Sequence, residues 1–82
     1  MRLDKYLKVS RIIKRRTVAN DACDGQHITV NGRTAKASYD VKVGDVIALH
    51  FGERVLAVEV LNVSETAGKS EASLLYREVN AQ

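Results

Sequence analysis

The stretch that decides the fold of this 82-residue chain is Gly25-Gln26-His27-Ile28-Thr29-Val30-Asn31-Gly32-Arg33-Thr34-Ala35. Asn-Gly between two β-type segments is the strongest short signal for a hairpin, because both turn positions require a positive φ. We therefore predict a strand over 27–30, a turn at Asn31-Gly32 and a second strand over 33–35. Gly25 is expected to end a preceding helix in a left-handed conformation.

Two short helices are predicted on the amino-terminal side of the hairpin. Leu3, Tyr6 and Leu7 follow the i, i+3, i+4 spacing of one apolar helix face, which predicts a helix over 3–9. A second helix is predicted over 16–24, immediately before the glycine. We expect this helix to bury the face that contains Val18, Ala19, Ala22 and Cys23.

The carboxyl-terminal side of the hairpin predicts two more strands, over 46–51 and 55–63, joined by a turn at Gly52-Glu53. A polar loop over 64–69 leads to a predicted helix that begins near Ser70. The residues expected on its buried face are Ala72, Leu75, Tyr76 and Val79. The element order predicts one α+β domain over 1–82. In it, two short N-terminal helices pack on a small, mostly antiparallel sheet of hairpins, and a C-terminal helix follows.

Charge is distributed unevenly along the chain, which has 13 basic residues, 10 acidic residues and a formal net charge of +3. Residues 1–42 hold ten basic and four acidic groups, whereas residues 43–82 hold three basic and six acidic groups. Such a concentration of like charge raises the free energy of the folded state through repulsion, and it is typical of a surface that binds a polyanion. The amino-terminal half is therefore predicted to carry a nucleic-acid-binding face.

Arginines at the start of the two helices are the strongest candidates for phosphate contacts. Arg2 precedes the first helix, and Arg15 and Arg16 lie where the second begins. A guanidinium binds phosphate through two parallel donors, and cations at a helix N-terminus oppose the helix dipole unless an anion binds there. The complete set of candidate binding residues is Arg2, Lys5, Lys8, Arg11, Lys14, Arg15, Arg16, Arg33 and Lys36.

Asp4 is the one acidic residue among these amino-terminal cations, because residues 1–16 contain no other aspartate or glutamate. Its position in the first helical turn allows a favourable interaction with the helix dipole. An alternative role is to orient Arg2 or a neighbouring basic side chain. The sequence alone leaves both roles open.

No arrangement of residues typical of catalysis, metal binding or a cofactor site is found. A zinc site needs three or four ligands at suitable spacing, and the chain has two histidines and one cysteine, Cys23, which is expected to pack in the core. No apolar run approaches the roughly 18–20 residues that span a membrane, and the amino terminus lacks a signal-type stretch. We predict a cytoplasmic binding protein that is not an enzyme, needs no cofactor and does not bind membranes.

The two basic helices followed by an Asn-Gly hairpin resemble the S4 family of RNA-binding domains, also called the αL motif. The positions that match its helix-Gly-X-Val-X-Val-Asn-Gly pattern are Gly25, Ile28, Val30, Asn31 and Gly32. Where the family usually has Leu-Ile late in the second helix, this chain has Asp21-Ala22. The segments 2–11, 14–17 and 35–38 resemble the stand-alone bacterial branch known as RqcP.

This resemblance implies an RNA-binding factor of ribosome-associated quality control. Its branch binds the large ribosomal subunit beside the P-site tRNA, and there it supports an RqcH-type factor that adds a C-terminal alanine tail to a stalled nascent chain. The implied partners are large-subunit ribosomal RNA, peptidyl-tRNA and an RqcH-type tailing factor. Because aromatic residues make up only 5% of the chain, we expect recognition of RNA shape and phosphates rather than base stacking on the sheet. We expect a monomer.

Other functions are weighed beside this one. A heat-shock relative in the same family recycles large subunits that carry stranded peptidyl-tRNA. That relative usually has a long basic C-terminal extension, and its absence from this sequence favours the quality-control branch. A protein–protein adaptor that uses the sheet or the acidic carboxyl-terminal segment is a further alternative. An accessory domain of an RNA-modifying enzyme is disfavoured, because 82 residues leave no room for a catalytic domain.

Overall fold

Both predicted amino-terminal helices are present in the computed structural model, which describes residues 1–63 and 75–79. Helix α1 spans Leu3–Val9 and helix α2 spans Arg16–Asp24. Leu3, Tyr6 and Leu7 are fully buried on one face of α1, as their spacing predicts. The two helices pack against each other.

The predicted Asn-Gly hairpin is confirmed. Strand β1 spans Ile28–Val30 and pairs antiparallel with β2, which spans Arg33–Thr34. Asn31 has a φ of 54° and Gly32 a φ of 83°. These two positive φ values are the geometry of a turn whose twist matches that of the flanking strands.

Among residues 1–63 and 75–79, five antiparallel strands form the sheet. Strand β3 spans Val46–Phe51, β4 spans Arg54–Val60 and β5 spans Tyr76–Val79. The spatial order is β2-β1-β3-β4-β5, and every neighbouring pair is antiparallel. The predicted strands at 46–51 and 55–63 are therefore present, although the second ends at Val60.

The predicted C-terminal helix is wrong over the part of it that the structure describes, because residues 76–79 form β5. The predicted polar loop over 64–69 and residues 70–74, where that helix is expected to begin, lie outside the described residues. One edge of β4 has backbone N–H and C=O groups that β3 does not pair, and β5 satisfies them. Arg77 also forms an ion pair with Glu59 on β4 at 2.6 Å. A short apolar segment fits a helix or a strand equally well, so this pairing decides the outcome.

Two local expectations about α2 are also wrong. Gly25 has a φ of −79°, and the left-handed residue after the helix is Gln26, with a φ of 63°. Gly25 is therefore not needed for its backbone conformation. A larger residue at position 25 would be crowded, because its β-carbon would lie 2.8 Å from Cδ2 of His27. Val18 is 48% exposed, whereas Ala19, Ala22 and Cys23 are buried.

One buried cluster joins the helices to a single face of the sheet. The strand residues that form it are Ile28, Val30, Ile47, Leu49, Val58 and Val60, and α1 and α2 supply their apolar faces. Tyr6 reaches across this cluster, where its hydroxyl donates a hydrogen bond of 2.6 Å to the backbone carbonyl of Leu75. The backbone N–H groups of Leu61 and Asn62 donate to the same carbonyl. The start of β5 is therefore attached to α1 as well as to β4.

A second polar contact fixes the hairpin turn to β3. The carboxylate of Asp45 accepts hydrogen bonds from Asn31 Nδ2 at 3.1 Å, the Tyr39 hydroxyl at 2.9 Å and the Lys42 N–H at 3.0 Å. The Asn31 side-chain oxygen accepts from the Val46 N–H at 3.0 Å. Asn31 therefore shapes the turn and also connects it to the neighbouring strand, which agrees with a structural rather than a ligand-binding role.

Candidate nucleic-acid interface

The start of α1 is held against the segment that follows β2. The N–H of Leu3 donates to the carbonyl of Tyr39 at 2.8 Å, and the N–H of Asp4 donates to the carbonyl of Ala37 at 3.2 Å. Arg2, the N-cap residue of α1, has an extended backbone with φ −63° and ψ 144°. These contacts fix the backbone from which the first candidate arginine extends.

Asp4 lies between the two helices and accepts hydrogen bonds from both. Its Oδ1 atom accepts from Arg2 Nε at 3.2 Å and from the N–H of Lys5 at 2.8 Å. Its Oδ2 atom accepts from Arg16 Nε at 3.3 Å and from Asn20 Nδ2 at 3.4 Å. The Asp4 side chain is only 3% exposed. We call Asp4, Arg2, Arg16 and Asn20 the Asp4 cluster.

The two arginines of the Asp4 cluster keep much of their surface in solvent. The Arg2 side chain is 51% exposed and the Arg16 side chain is 45% exposed. Arg16 binds the carboxylate through Nε, so its terminal nitrogens remain available to an anion. Two guanidinium groups share one carboxylate, which leaves an excess of positive charge at the surface. The cluster therefore orients two partly exposed guanidinium groups, a type of group that can form charge-assisted hydrogen bonds with an anion.

The pKa values of the Asp4 and Asp45 carboxyl groups both lie below the ordinary value for an aspartate. Burial raises the pKa of Asp4, but hydrogen bonds from Arg2, Asn20 and Arg16 outweigh that effect and hold the pKa below its usual value. Burial likewise raises the pKa of Asp45, and its hydrogen-bond donors again lower it by more. Each ionised carboxylate is therefore more favourable in the folded chain than in the unfolded chain.

Acidification is expected to destabilise the domain through these two carboxylates. Because their pKa values are depressed in the folded state, the stability they contribute is complete well above the unfolded value of about 3.9 and falls as the pH drops through the folded values. Urea unfolding at a series of pH values should show the free energy of unfolding decline below about pH 4. An Asp45→Asn variant should show a shallower decline. A wild-type profile that stays flat in this range would contradict the assignment.

The first turn of α2 is basic and has no side-chain cap. Arg15 is the N-cap residue and makes no capping hydrogen bond, and the first turn contains no acidic residue. The helix dipole therefore meets positive charge where negative charge is favourable. A phosphate at this end would interact with free backbone N–H groups and with Arg15 and Arg16 together.

The other predicted site residues lie on two parts of the surface. Lys8, Arg11 and Lys14 are exposed in and after α1, and Lys5 is half-buried. Arg33 and Lys36 are exposed near the hairpin and line one groove of about 720 Å³ with Ser38 and Tyr39. The structure thus brings Arg2 and Arg16 together directly, through Asp4, and brings Arg33 and Lys36 to a separate groove.

Asn20 is the member of the site that sequence reasoning missed. It was not among the candidate residues because its side chain is uncharged, yet it donates to the same Asp4 oxygen as Arg16. Arg16 and Asn20 are four residues apart on α2, and this spacing places them on one helix face. That spacing was the available signal. The orienting role considered for Asp4 is the one that the geometry supports.

Neither metal ligands nor a reactive thiol are found among residues 1–63 and 75–79. No group of three or more His, Cys, Asp or Glu side chains in these ranges could hold a metal ion. Cys23 is 2% exposed, and burial, with the charges of Asp4 and Asp24, raises the pKa of its thiol to about 11. It therefore stays protonated and packs as an apolar residue. The helices of these ranges are too short or too polar to cross a membrane.

Helices that present an oriented arginine pair beside an Asn-Gly hairpin define an S4-type domain, and residues 1–47 match the S4 domain family. The chain is 57% identical to the RQC P-site tRNA stabilizing factor of Halalkalibacterium halodurans, across 93% of this chain and 86% of the relative. It is 50% identical to the factor of the same name from Bacillus subtilis, across 93% and 88%. The chain belongs to the family of RQC P-site tRNA stabilizing factors, and the predicted branch is confirmed.

The fold is also similar to a solved structure of the heat-shock relative. The trimeric structure of Vibrio cholerae heat shock protein 15 superposes with a TM-score of 0.86 at 35% identity, across 96% of this chain and 81% of that chain. This similarity confirms the predicted relation between the two branches. It also confirms the α+β architecture of two short helices on an antiparallel sheet.

Proposed function

We propose that this chain stabilises P-site tRNA on the large ribosomal subunit during ribosome-associated quality control. The observation that carries the proposal is the Asp4 cluster, in which one buried carboxylate orients two arginines on the surface. Two oriented guanidinium groups fit two phosphates of structured RNA better than mobile lysines do. The names of the relatives specify P-site tRNA and quality control, and the site supplies the chemistry that binding would need.

Each of the nine candidate binding residues has a place in the proposed interface. Arg2, Arg15 and Arg16 contact phosphates directly at the start of the two helices. The residues that provide the surrounding positive field are Lys5, Lys8, Arg11 and Lys14. Arg33 and Lys36 extend the interface along their groove. The RNA partners are large-subunit ribosomal RNA and peptidyl-tRNA, and the chain acts in the cytoplasm, by binding and without a catalytic step.

Within this function we propose that the chain supports an RqcH-type factor in adding alanine tails to stalled nascent chains. A bound tRNA held in the P site is the donor of the growing chain, so its stabilisation favours repeated addition. We further propose that the chain acts as a monomer. Size-exclusion chromatography with light scattering tests the oligomeric state, and detection of alanine tails in cells with and without the protein tests the role in tailing.

Replacing Arg16 with alanine is expected to weaken binding to purified large ribosomal subunits by roughly tenfold to a hundredfold, because a charge-assisted hydrogen bond is lost. Sedimentation of labelled protein with large subunits through sucrose measures the loss, and circular dichroism confirms folding. Arg54→Ala at the β3–β4 turn removes the same charge away from the site and should bind like the wild type. Equal binding by Arg16→Ala and wild type would contradict the role of Arg16.

Salt dependence provides a second measurement on the same samples. If about six phosphates are neutralised, a fourfold rise in salt should lower the affinity by roughly 10²–10³. Isolated tRNA should bind more weakly than the assembled subunit, because the proposed site combines two RNAs. Failure of the wild-type chain to travel with large subunits at any salt concentration would overturn the proposed function.

Recycling of large subunits that carry stranded peptidyl-tRNA is the second candidate function. It is favoured by the similarity of the fold to heat shock protein 15. Both functions use the same RNA-binding face, so binding measurements do not separate them. Loss of alanine tails in cells that lack the protein supports the quality-control function. An unchanged level of alanine tails in those cells supports the recycling function.

A further inference from the structure

The backbone between Lys36 and Asp40 connects two groups of candidate binding residues. Lys36 lines the groove beside the Asn-Gly turn, which we call the hairpin groove. Three residues further along, the carbonyl of Tyr39 accepts a hydrogen bond of 2.8 Å from the N–H of Leu3. Asp40 forms an antiparallel bridge with Arg2, the N-cap of α1. Movement of this backbone would therefore displace the hairpin groove and the start of α1 together.

The side chain of Tyr39 attaches this backbone to the sheet through Asp45. Its hydroxyl donates a hydrogen bond of 2.9 Å to Oδ2 of Asp45, which is a buried residue. The backbone of Asp45 is held in turn, because its carbonyl accepts from the N–H of Val60 on β4 at 2.8 Å. Val60 is fully buried and belongs to the core cluster. The Asp45 carboxylate is therefore a fixed anchor relative to the sheet.

The same carboxylate anchors the opposite end of the hairpin groove. Its Oδ1 atom accepts a hydrogen bond of 3.1 Å from Asn31 Nδ2. Both cations of the hairpin groove lie in the chain between Asn31 and Tyr39, and these two residues also line it. One buried carboxylate thus holds both ends of the segment that carries the groove's positive charge.

We propose that Tyr39 is a positioning residue for RNA binding, which holds the hairpin groove and the start of α1 at a fixed separation through its hydrogen bond to Asp45. This inference rests on the proposed function and deepens it, because it gives a role to a residue that supplies no charge. Two binding surfaces at a fixed separation bind one large partner more tightly than two surfaces that move independently, since less freedom is lost on binding.

The test is Tyr39→Phe, which removes the hydroxyl and keeps the ring and the net charge. Each protein is titrated with purified large ribosomal subunits across a salt series, at a temperature where circular dichroism shows that it is folded. The affinity of Tyr39→Phe should fall roughly threefold to tenfold, the effect of one hydrogen bond. The slope of log K against log salt should equal that of the wild type, because the number of neutralised phosphates is unchanged.

Amide hydrogen exchange in the free protein separates positioning from direct contact with RNA. The N–H of Leu3 is protected by its hydrogen bond to the Tyr39 carbonyl. If the hydroxyl of Tyr39 fixes this backbone, its removal should increase local opening, and the Leu3 N–H should exchange several-fold faster in Tyr39→Phe. A hydroxyl that only contacted RNA would leave this exchange rate unchanged.

Tyr6→Phe is the matched control, because it removes a hydroxyl that donates to the Leu75 carbonyl instead. Tyr6 is fully buried, so the loss of its hydrogen bond should lower the Tm at least as much as Tyr39→Phe does. We expect Tyr6→Phe to keep the subunit affinity of the wild type and its Leu3 exchange rate. A change in affinity that is confined to Tyr39→Phe would therefore not follow from stability alone.

Three results would overturn the positioning role alone, given that the wild type binds large subunits. The first is an unchanged affinity of Tyr39→Phe. The second is a lower affinity of Tyr39→Phe with an unchanged Leu3 exchange rate. The third is an equal loss of affinity in Tyr6→Phe. Failure of the wild type to bind large subunits overturns the proposed function and this inference together.

Discussion

Tyr6→Ala is expected to lower the free energy of unfolding by about 3–5 kcal/mol. Tyr6 is fully buried, and it is the largest side chain that the described core encloses completely. A domain of 82 residues has a total stability of roughly 4–12 kcal/mol, so this one change removes about a quarter of it or more. The variant should therefore unfold at a clearly lower urea concentration than the wild type.

Urea unfolding followed by circular dichroism measures this loss, and Tyr6→Phe separates the ring from the hydroxyl. The phenylalanine variant keeps the packing and loses only the hydrogen bond to the Leu75 carbonyl, which still accepts from two N–H groups. Its cost should be about 1 kcal/mol. Burial, with a contribution from Tyr76, raises the Tyr6 pKa, so the hydroxyl remains a donor at neutral pH. A Tyr6→Ala loss below about 1 kcal/mol would show that this core description is wrong.

Asp4→Asn is expected to weaken both the fold and the binding of large ribosomal subunits. The stability loss should be about 1–3 kcal/mol, because a buried acceptor of five hydrogen bonds loses its charge. The ion pairs themselves contribute modestly, since Arg2 and Arg16 are about half exposed. Affinity should fall roughly tenfold, because two arginine side chains regain rotamer freedom that binding must then remove.

Weaker binding by Asp4→Asn is the opposite of what a change in net charge alone would produce. Removal of a negative charge from a basic face should tighten RNA binding if the total field alone controlled it. Asp24→Asn is the matched control, since it removes the same charge from an exposed residue at the end of α2. We expect this control to bind at least as tightly as the wild type. Tighter binding by Asp4→Asn would contradict the orienting role of Asp4.

The first two thirds of the fold could be predicted from the sequence because local rules control it. The spacing of Leu3, Tyr6 and Leu7 defines a helix face within two turns, and the Asn-Gly pair requires positive φ values that few other residues adopt. The structure contains these elements at the predicted positions. The predicted helix boundaries also put Arg2 at the start of α1 and Arg15 and Arg16 at the start of α2, and the structure has them there.

Contacts between distant residues decided the rest. Residues 76–79 are a strand because the open edge of β4 pairs with them, and no pattern within four residues encodes that pairing. The spacing of a short segment cannot report which edge is unpaired. The sequence left two roles open for Asp4 because its partners Arg16 and Asn20 are distant in the chain, and local spacing does not show which residues it contacts.

Taken by itself, the amino-acid sequence determined the two helices, the hairpin and the basic character of the amino-terminal half, because these depend on neighbouring residues. Only the tertiary structure decided that α1 and α2 share one carboxylate. Asp4 meets Arg16 and Asn20 across 12 and 16 residues of chain. Such contacts form when buried faces pack together, and packing depends on the whole core rather than on any local segment.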